Sequence, residues 1–343
     1  MSGAGDGGLR DRAAAQLAAP SRWRPAELAF WAAAVAALFL FPERSLLLSE
    51  IFITGLFALS LDLILGYAGI LSLGHAAFFG LGAYVAGIAT LHGLTEPALG
   101  LVLAWAAATA LGFASSFLVL RGSDLTRLMV TLGVALMLYE TANRMAWLTG
   151  GADGLQGMEV GPVLGLFEFD LAGEVAAAYS LAVLFLAFLL VRRLVHSPFG
   201  WTLRAVKGNP LRAAAVGIAV NTRLVAAYTA AAGLAGIAGA LLAQTTQFVS
   251  LDVLAFHRSA DVLLVLVIGG VGWLYGGLVG AVVFKLMQDA IAGVTPQYWQ
   301  FWIGLLLVAM VLVGRDRLAG LGRLLPGRRR RGAPGAAVPE AAE

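Results

Sequence analysis

Four histidines, two lysines and no cysteine limit the chemistry open to this chain of 343 residues. Without cysteine there is no disulfide, no thiolate metal site and no cysteine nucleophile. No two of His75, His92, His196 and His257 stand at i, i+4, so the helical zinc-protease pair is missing. A phosphate-cradling loop of the form G-x-x-x-x-G-K-[ST] wraps phosphates in backbone N–H groups and reaches them with its lysine. Lys207 follows Val206 and Lys285 follows Phe284, so neither belongs to such a loop. The chain therefore binds no cofactor of its own, and any use of ATP and magnesium falls to another polypeptide. With no nucleophile, metal site or carboxylate pair at a useful spacing, it does not read as an enzyme.

The chemistry that remains is polar groups set in apolar surroundings. Leu65 to Tyr84 reads LGYAGILSLGHAAFFGLGAY, an apolar run interrupted by Gly66, Gly69, Gly74, Gly80 and Gly82, with Ser72 and His75 at its centre. A helix broken at membrane depth is tolerated only where protein or a water-filled cavity satisfies the freed backbone. Two readings fit: a discontinuous segment beside a translocation path, or a tight turn whose small residues let helices pack closely. The candidate path residues are Asp62, Gly69, Ser72, Gly74 and His75. Asp62 stands one turn before the break, placed to bond a broken-helix N–H or a polar group of a neighbouring span. His75 reads as a hydrogen-bonding structural residue rather than a proton relay. A second glycine-rich stretch, Ile268 to Gly280, hints at an internal repeat.

Charges within apolar spans are costly and are candidates for function. Glu140 and Arg144 stand at i, i+4, as do Lys285 and Asp289, so each pair is expected to neutralise on its own helix. Glu50 and Asp62 have no such local partner.

These groups must be positioned by membrane helices. The chain is 60% hydrophobic and 13% charged, with a mean hydropathy of +0.85, against roughly 25% charged in a soluble domain. At about 20 apolar residues per span, there is room for roughly ten spans. They are expected at 28–41, 46–67, 76–92, 98–120, 125–148, 175–191, 224–249, 262–275, 277–291 and 299–313. The first ends in Phe-Leu-Phe-Pro-Glu, without the small residues of a cleavage site, and reads as an uncleaved span. Residues 1–25 read as a disordered cytoplasmic tail, 26–313 as the transmembrane domain and 314–343 as a basic cytoplasmic tail. Starting with the N-terminus inside, nineteen of the 23 basic residues fall on inside segments, and only Arg44, Arg144, Arg258 and Lys285 fall elsewhere. The segment from Gly150 to Glu174 carries five acids and no Lys or Arg. An all-α, polytopic bundle with both termini inside follows from the positive-inside rule. The net charge of +3 marks cytoplasmic loops and lipid contact rather than nucleic acid.

The inside loop 192–223 is the most specific feature. His196 to Val220 reads HSPFGWTLRAVKGNPLRAAAVGIAV, cationic and free of acids. Pro210 suits a first helical turn with Asn209 as its cap, and Gly217 suits its end. Leu203, Val206, Leu211 and Ala215 are expected on one apolar side, with Arg204, Lys207 and Arg212 on a cationic one.

The pattern S-P-F-G…L-R-A…N-P…A-A…G-I resembles the cytoplasmic coupling segment of ABC importer permeases, in the form used by branched-chain amino acid permeases. LDLILGYAGILSLGHAAFFGLGAY, TGGADGL at Thr149 to Leu155, AAAGLAGIAGALLA at Ala230 to Ala243 and VLLVLVIGGVGWLYGGLVGA at Val262 to Ala281 extend the resemblance over nearly the whole chain. The chain is thereby identified as similar to the LivM-type permease family. One departure is Lys207-Gly208-Asn209-Pro210, where many members carry an acidic residue before the Ala-rich turn. The resemblance implies an inner-membrane import subunit for branched-chain or related amino acids. It implies a second, LivH-type permease subunit, two ATP-binding cassette subunits and a solute-binding protein as partners. It also implies that Arg204, Lys207, Asn209, Pro210, Ala213, Ala214 and Gly217 meet the ATPase. Permeases that look like this also handle urea and short amides. A stand-alone secondary transporter is the other class, and its ion site would rest on Glu50 and Asp62.

Overall fold

The computed structural model describes residues 25–163, 165–170, 172–294, 298, 301–302 and 304–305. The N-terminal tail, nearly all of the expected span at 299–313 and the basic tail at 314–343 lie outside the described residues. The fold below is that of the first of two compact units, which ends at Met287; the second begins at Gln288.

The described residues are almost wholly helical. The elements are α1 (Pro25–Leu40), α2 (Ser45–Asp62), α3 (Ala76–Leu91), α4 (Pro97–Val119), α5 (Asp124–Arg144) and α6 (Ala146–Thr149). Then come α7 (Glu174–Val195), α8 (Pro198–Gly208), α9 (Pro210–Ala215), α10 (Val220–Thr246), α11 (Phe256–Gly269) and α12 (Gly276–Val294). Among the described residues six helical segments are long and apolar enough to cross a membrane: Pro42–Tyr67, α4, α5, α7, α10 and α12. The apolar helices α1 and α3 are shorter.

The bundle is built around α10, which packs on α3, α4 and α2. Its sequence is rich in Ala and Gly because backbones meet there. A Cβ on Gly82 of α3 would overlap the backbone of Gly236, and one on Gly236 would overlap Ala108 of α4. Without a strong hydrophobic force between helices in lipid, close approach over small residues supplies the packing. Gln244 of α10 adds a buried hydrogen bond, 2.8 Å to the carbonyl of Pro97 at the start of α4.

Long-range polar contacts fix which helix ends lie together. Arg192, near the end of α7, pairs with Glu27 in the first turn of α1 at 2.7 Å, and both side chains are largely buried. Leu155 and Val249 exchange backbone hydrogen bonds of 2.7 and 3.2 Å, joining the segment after α6 to the segment after α10.

The expected span 262–275 is corrected. Gly270 at φ +109° and Gly272 at φ +78° cannot continue a right-handed helix, so α11 stops at Gly269 and Trp273 to Tyr275 lie in the turn before α12. Likewise α5 ends at Arg144 rather than running on to Leu148.

Candidate functional site

The π-helical turn Leu63–Tyr67 follows α2 directly, and the chain then runs non-helically to His75 before α3 begins. A π turn inserts a residue into the helical ladder and redirects carbonyls outward. Asp62, at the last position of α2, accepts the N–H of Gly272 on Oδ1 at 2.7 Å. The backbones of Gly66 and Gly272 approach so closely that a Cβ on Gly272 would lie 3.3 Å from the Gly66 carbonyl oxygen. The two glycine-rich stretches thus meet in space.

Below this junction lies the loop singled out in the sequence. It folds as two helices separated by Asn209, which is extended at φ −160° and ψ 103°. The Asn209 side chain accepts the N–H of Arg212 at 2.9 Å and caps α9. Gly217, at φ +87°, lies two residues past the last residue of α9. Leu203, Val206 and Ala213 are buried in a cluster with Ala68 and Ile70 of the break and Leu224 and Ala227 of α10. Lys207 donates from Nζ to the Gly66 carbonyl at 2.7 Å. The Arg204 guanidinium stands over the Tyr67 and Trp201 rings, 5.2 and 5.1 Å from their centroids.

The single apolar side expected from Leu203 through Ala215 does not form. The extended Asn209 turns α9 relative to α8, so Leu211 is 82% exposed and Val216 77% exposed, with Pro210, Ala214 and Ala215 also at the surface. Lys207 is exposed along its side chain and directs its ammonium to the Gly66 carbonyl of the break.

Of the candidate path residues, Asp62, Ser72, Gly74 and His75 are buried and Gly69 is exposed. Ser60 has one hydroxyl hydrogen and gives it to the Phe57 carbonyl at 2.6 Å. His75 must therefore donate its Nε2–H to Ser60 Oγ across 2.8 Å, leaving Nδ1 as a bare acceptor. No hydrogen bond reaches that Nδ1 among the described residues. The ring stacks on Phe57 at 5.5 Å. This geometry ties the break to α2. A Cβ on Gly74 would overlap the Thr131 carbonyl of α5. Gly69, at φ +75°, faces the stem of Lys207.

Several partners were not readable in the sequence. Thr131 Oγ1 accepts the N–H of Leu73 at 3.3 Å, and Ser259 Oγ accepts that of Ala76, the first residue of α3, at 2.9 Å. Glu140 and Arg144 pair at 2.6 Å as their spacing suggested. Lys285, expected to neutralise Asp289, reaches across to Glu50 on α2 at 2.9 Å.

Fold and site together define a class: a polytopic α-helical membrane protein with a broken helix tied to an amphipathic loop outside the bundle. The chain belongs to the family of permease components of the branched-chain amino acid transport system, which it matches over residues 44–311. It is similar to two proteins named high-affinity branched-chain amino acid transport system permease protein LivM. The one from Salmonella typhimurium (strain LT2) is 28% identical over 280 residues, and the one from Escherichia coli (strain K12) is 26% identical over 280 residues. Each match covers 74% of this chain and 64% of the relative's own length. No solved structure matches the chain.

Proposed function

We propose that this chain is one of two permease subunits of an ABC importer in the bacterial inner membrane, moving branched-chain or related amino acids. A second, LivH-type permease completes the path, two ATP-binding cassette subunits bind ATP and magnesium, and a solute-binding protein delivers the substrate. The observation that carries the reading is the bond from Lys207 to Gly66, because it joins the loop that resembles a coupling segment to the broken helix beside the path.

In this reading α8 and α9 dock into the ATPase, with Leu211, Ala214 and Val216 as the exposed contact surface and Asn209, Pro210 and Gly217 setting its shape. Arg204, Lys207 and Ala213 hold it to the bundle. The path runs beside Leu65 to Gly82, whose exposed member is Gly69 and whose buried members Asp62, Ser72, Gly74 and His75 brace the wall. Ten spans with both termini inside, a transmembrane domain over 26–313 and tails at 1–25 and 314–343 complete the architecture. The Glu27–Arg192 pair and the distribution of basic residues support this arrangement.

The test is reconstitution. The chain in vesicles with its second permease, ATPases and solute-binding protein should accumulate leucine in an ATP-dependent way, and the chain alone should not. Concentrative uptake by the chain alone would overturn the reading.

A further inference from the structure

A three-residue 3₁₀ turn, Pro42–Arg44, joins α1 to α2, yet α1 packs on α7 rather than on α2. Aromatic rings fix the early part of α1. The Trp31 ring lies 4.8 and 5.1 Å from those of Phe185 and Phe188 on α7, and Phe30 lies 5.5 Å from Tyr275, just before α12. The Glu27–Arg192 pair adds to that anchor. Held by these contacts at one end and by the turn at the other, α1 stands off α2 and leaves a groove of about 650 Å³. Sites that take small organic ligands span roughly 300–1,000 Å³.

The walls are almost wholly apolar. Ala33, Ala34 and Ala37 of α1 and Leu48, Ile51 and Gly55 of α2 line the space, at spacings that put each set on one helix face. Leu181 and Leu184 of α7 and Leu278 of α12 line it as well and are buried, while Ala33, Phe41, Arg44 and Leu286 are exposed at its rim. Arg44 is the one charged residue among the described residues of the lining, which include no acid. From Arg44 to Gly55 the groove follows about 16 Å of helix. One acyl chain reaches a similar distance, since two leaflets make a hydrocarbon core of about 30 Å.

Water gains little in such a space, because it needs polar partners. A free amino acid is equally unsuited: the lining offers a cation for its carboxylate and no carboxylate for its ammonium. An apolar helix would use the walls and not Arg44. A hydrocarbon chain with an anion at one end uses both. Arg44 stands in the first turn of Pro42–Tyr67, a segment long and apolar enough to cross a membrane, so the cation marks an end of that segment. A guanidinium carries five N–H donors and can take phosphate oxygens beside its other contacts. Basic pockets between membrane helices hold anionic headgroups in this way.

We propose that the groove between α1 and α2 binds an anionic glycerophospholipid of the phosphatidylglycerol type, with one acyl chain along Ala33, Ala34 and Ala37 and the phosphate on Arg44. The lipid fills the gap that α1 leaves. A phosphatidylethanolamine fits less well, because its ammonium meets the same cation and no carboxylate. The wall that α1 supplies lies before the region matched to the permease family, which starts at residue 44.

The test uses the full chain in detergent, stripped of lipid, with palmitoyl-oleoyl phosphatidylglycerol or phosphatidylethanolamine as probe in native mass spectrometry. The wild-type chain should hold one phosphatidylglycerol about tenfold more tightly than phosphatidylethanolamine, the worth of a charge-assisted hydrogen bond, and its Tm should rise with it. Arg44→Gln should bring the two lipids level, and Arg44→Lys should restore part of the preference. Ala34→Trp, which fills the groove, should lose that lipid and the gain in Tm. A phosphatidylglycerol carrying a diazirine on its acyl chain should cross-link to α1 and α2 of the wild-type chain, a readout that does not depend on how the tryptophan variant folds. Equal binding of both lipids by the wild-type chain, an unchanged preference in Arg44→Gln, or cross-links confined to other helices would overturn the site. If no lipid is held and Ala34→Cys is still shielded from a lipid-soluble maleimide, a helix fills the groove and the proposal fails.

Discussion

Lys207 donates its ammonium to the carbonyl oxygen of Gly66 at 2.7 Å, across 141 positions of sequence. Gly66 lies in the π turn where α2 breaks, so its carbonyl is turned out of the ordinary helical ladder. The lysine takes the place of the missing ladder donor. Around it, Leu203 and Val206 pack on Ala68 and Ile70, and Arg204 covers Tyr67. A hydrogen bond, a small apolar core and a cation–π contact therefore join α8 to the break at once.

Removing the lysine tests that linkage. A hydrogen bond from a charged donor contributes about 1.5–3 kcal/mol, so Lys207→Met should shift the balance between conformations roughly tenfold or more. Leucine uptake per ATP hydrolysed should fall by about that factor, with the ATPase subunits still bound. Unchanged stoichiometry in reconstituted vesicles would show that Lys207 does not link loop and break.

The outer face of α9 carries a different expectation. Leu211, on the six-residue helix capped by Asn209, and Val216, just after that helix, are among the most exposed apolar side chains of the described residues. Such a face outside the bundle invites a partner. Leu211→Asp or Ala214→Asp should release the ATPase subunits on size-exclusion chromatography while leaving membrane insertion and the fold intact, because neither side chain packs inside the chain. Asn209→Ala should weaken docking more mildly, since a lost cap costs about 1 kcal/mol.

Two glycines of the break should behave differently on substitution. A side chain at Gly74 would collide with the Thr131 carbonyl, so even Gly74→Ala should destabilise the fold by about 1–3 kcal/mol. It would be read as a lower Tm in detergent. Gly69 is exposed, and its positive φ costs an L-residue about 1–2 kcal/mol. Gly69→Ala should leave the complex assembled but lower uptake. Loss of uptake at Gly74 therefore reports on folding, whereas loss at Gly69 with the complex assembled reports on the break and its contact with Lys207.

What the sequence disclosed and what it hid divide along a physical line. Long apolar runs disclosed α2, α4, α7 and α10 because a membrane helix must be apolar over its whole length. Asn209 and Pro210 disclosed α9 because capping is local chemistry. Asp62 was legible as an acceptor for a broken-helix N–H, but its donor, Gly272, lies 210 positions away and no periodicity points to it. The same holds for Glu27 with Arg192 and for Glu50 with Lys285. In the last case the i, i+4 spacing pointed to Asp289, and nothing in it pointed to Glu50 on the neighbouring helix. The contacts of Asp252 with His257 and Arg258 were passed over because they depend on a 3₁₀ turn folding back onto α11. Leu211 was placed on the wrong side because one extended residue rotates everything that follows.

Topology is open to direct test, because the chain contains no cysteine and any cysteine introduced is unique. Ala152 and Ala214 are both exposed. Ala152 lies in the segment between α6 and α7, which carries acids and no Lys or Arg, beside the Leu155–Val249 junction at the far end of α10. Ala214 lies in α9, just before the near end of α10 and close to the end of α7. α10 has 27 residues, about 40 Å of helix and more than a bilayer core of about 30 Å. The two positions are then expected to face opposite compartments. In intact cells a membrane-impermeant maleimide should label Ala152→Cys, and it should label Ala214→Cys only after the membrane is opened. Labelling of both from outside would sink the arrangement, and labelling of Ala214→Cys alone from outside would invert it.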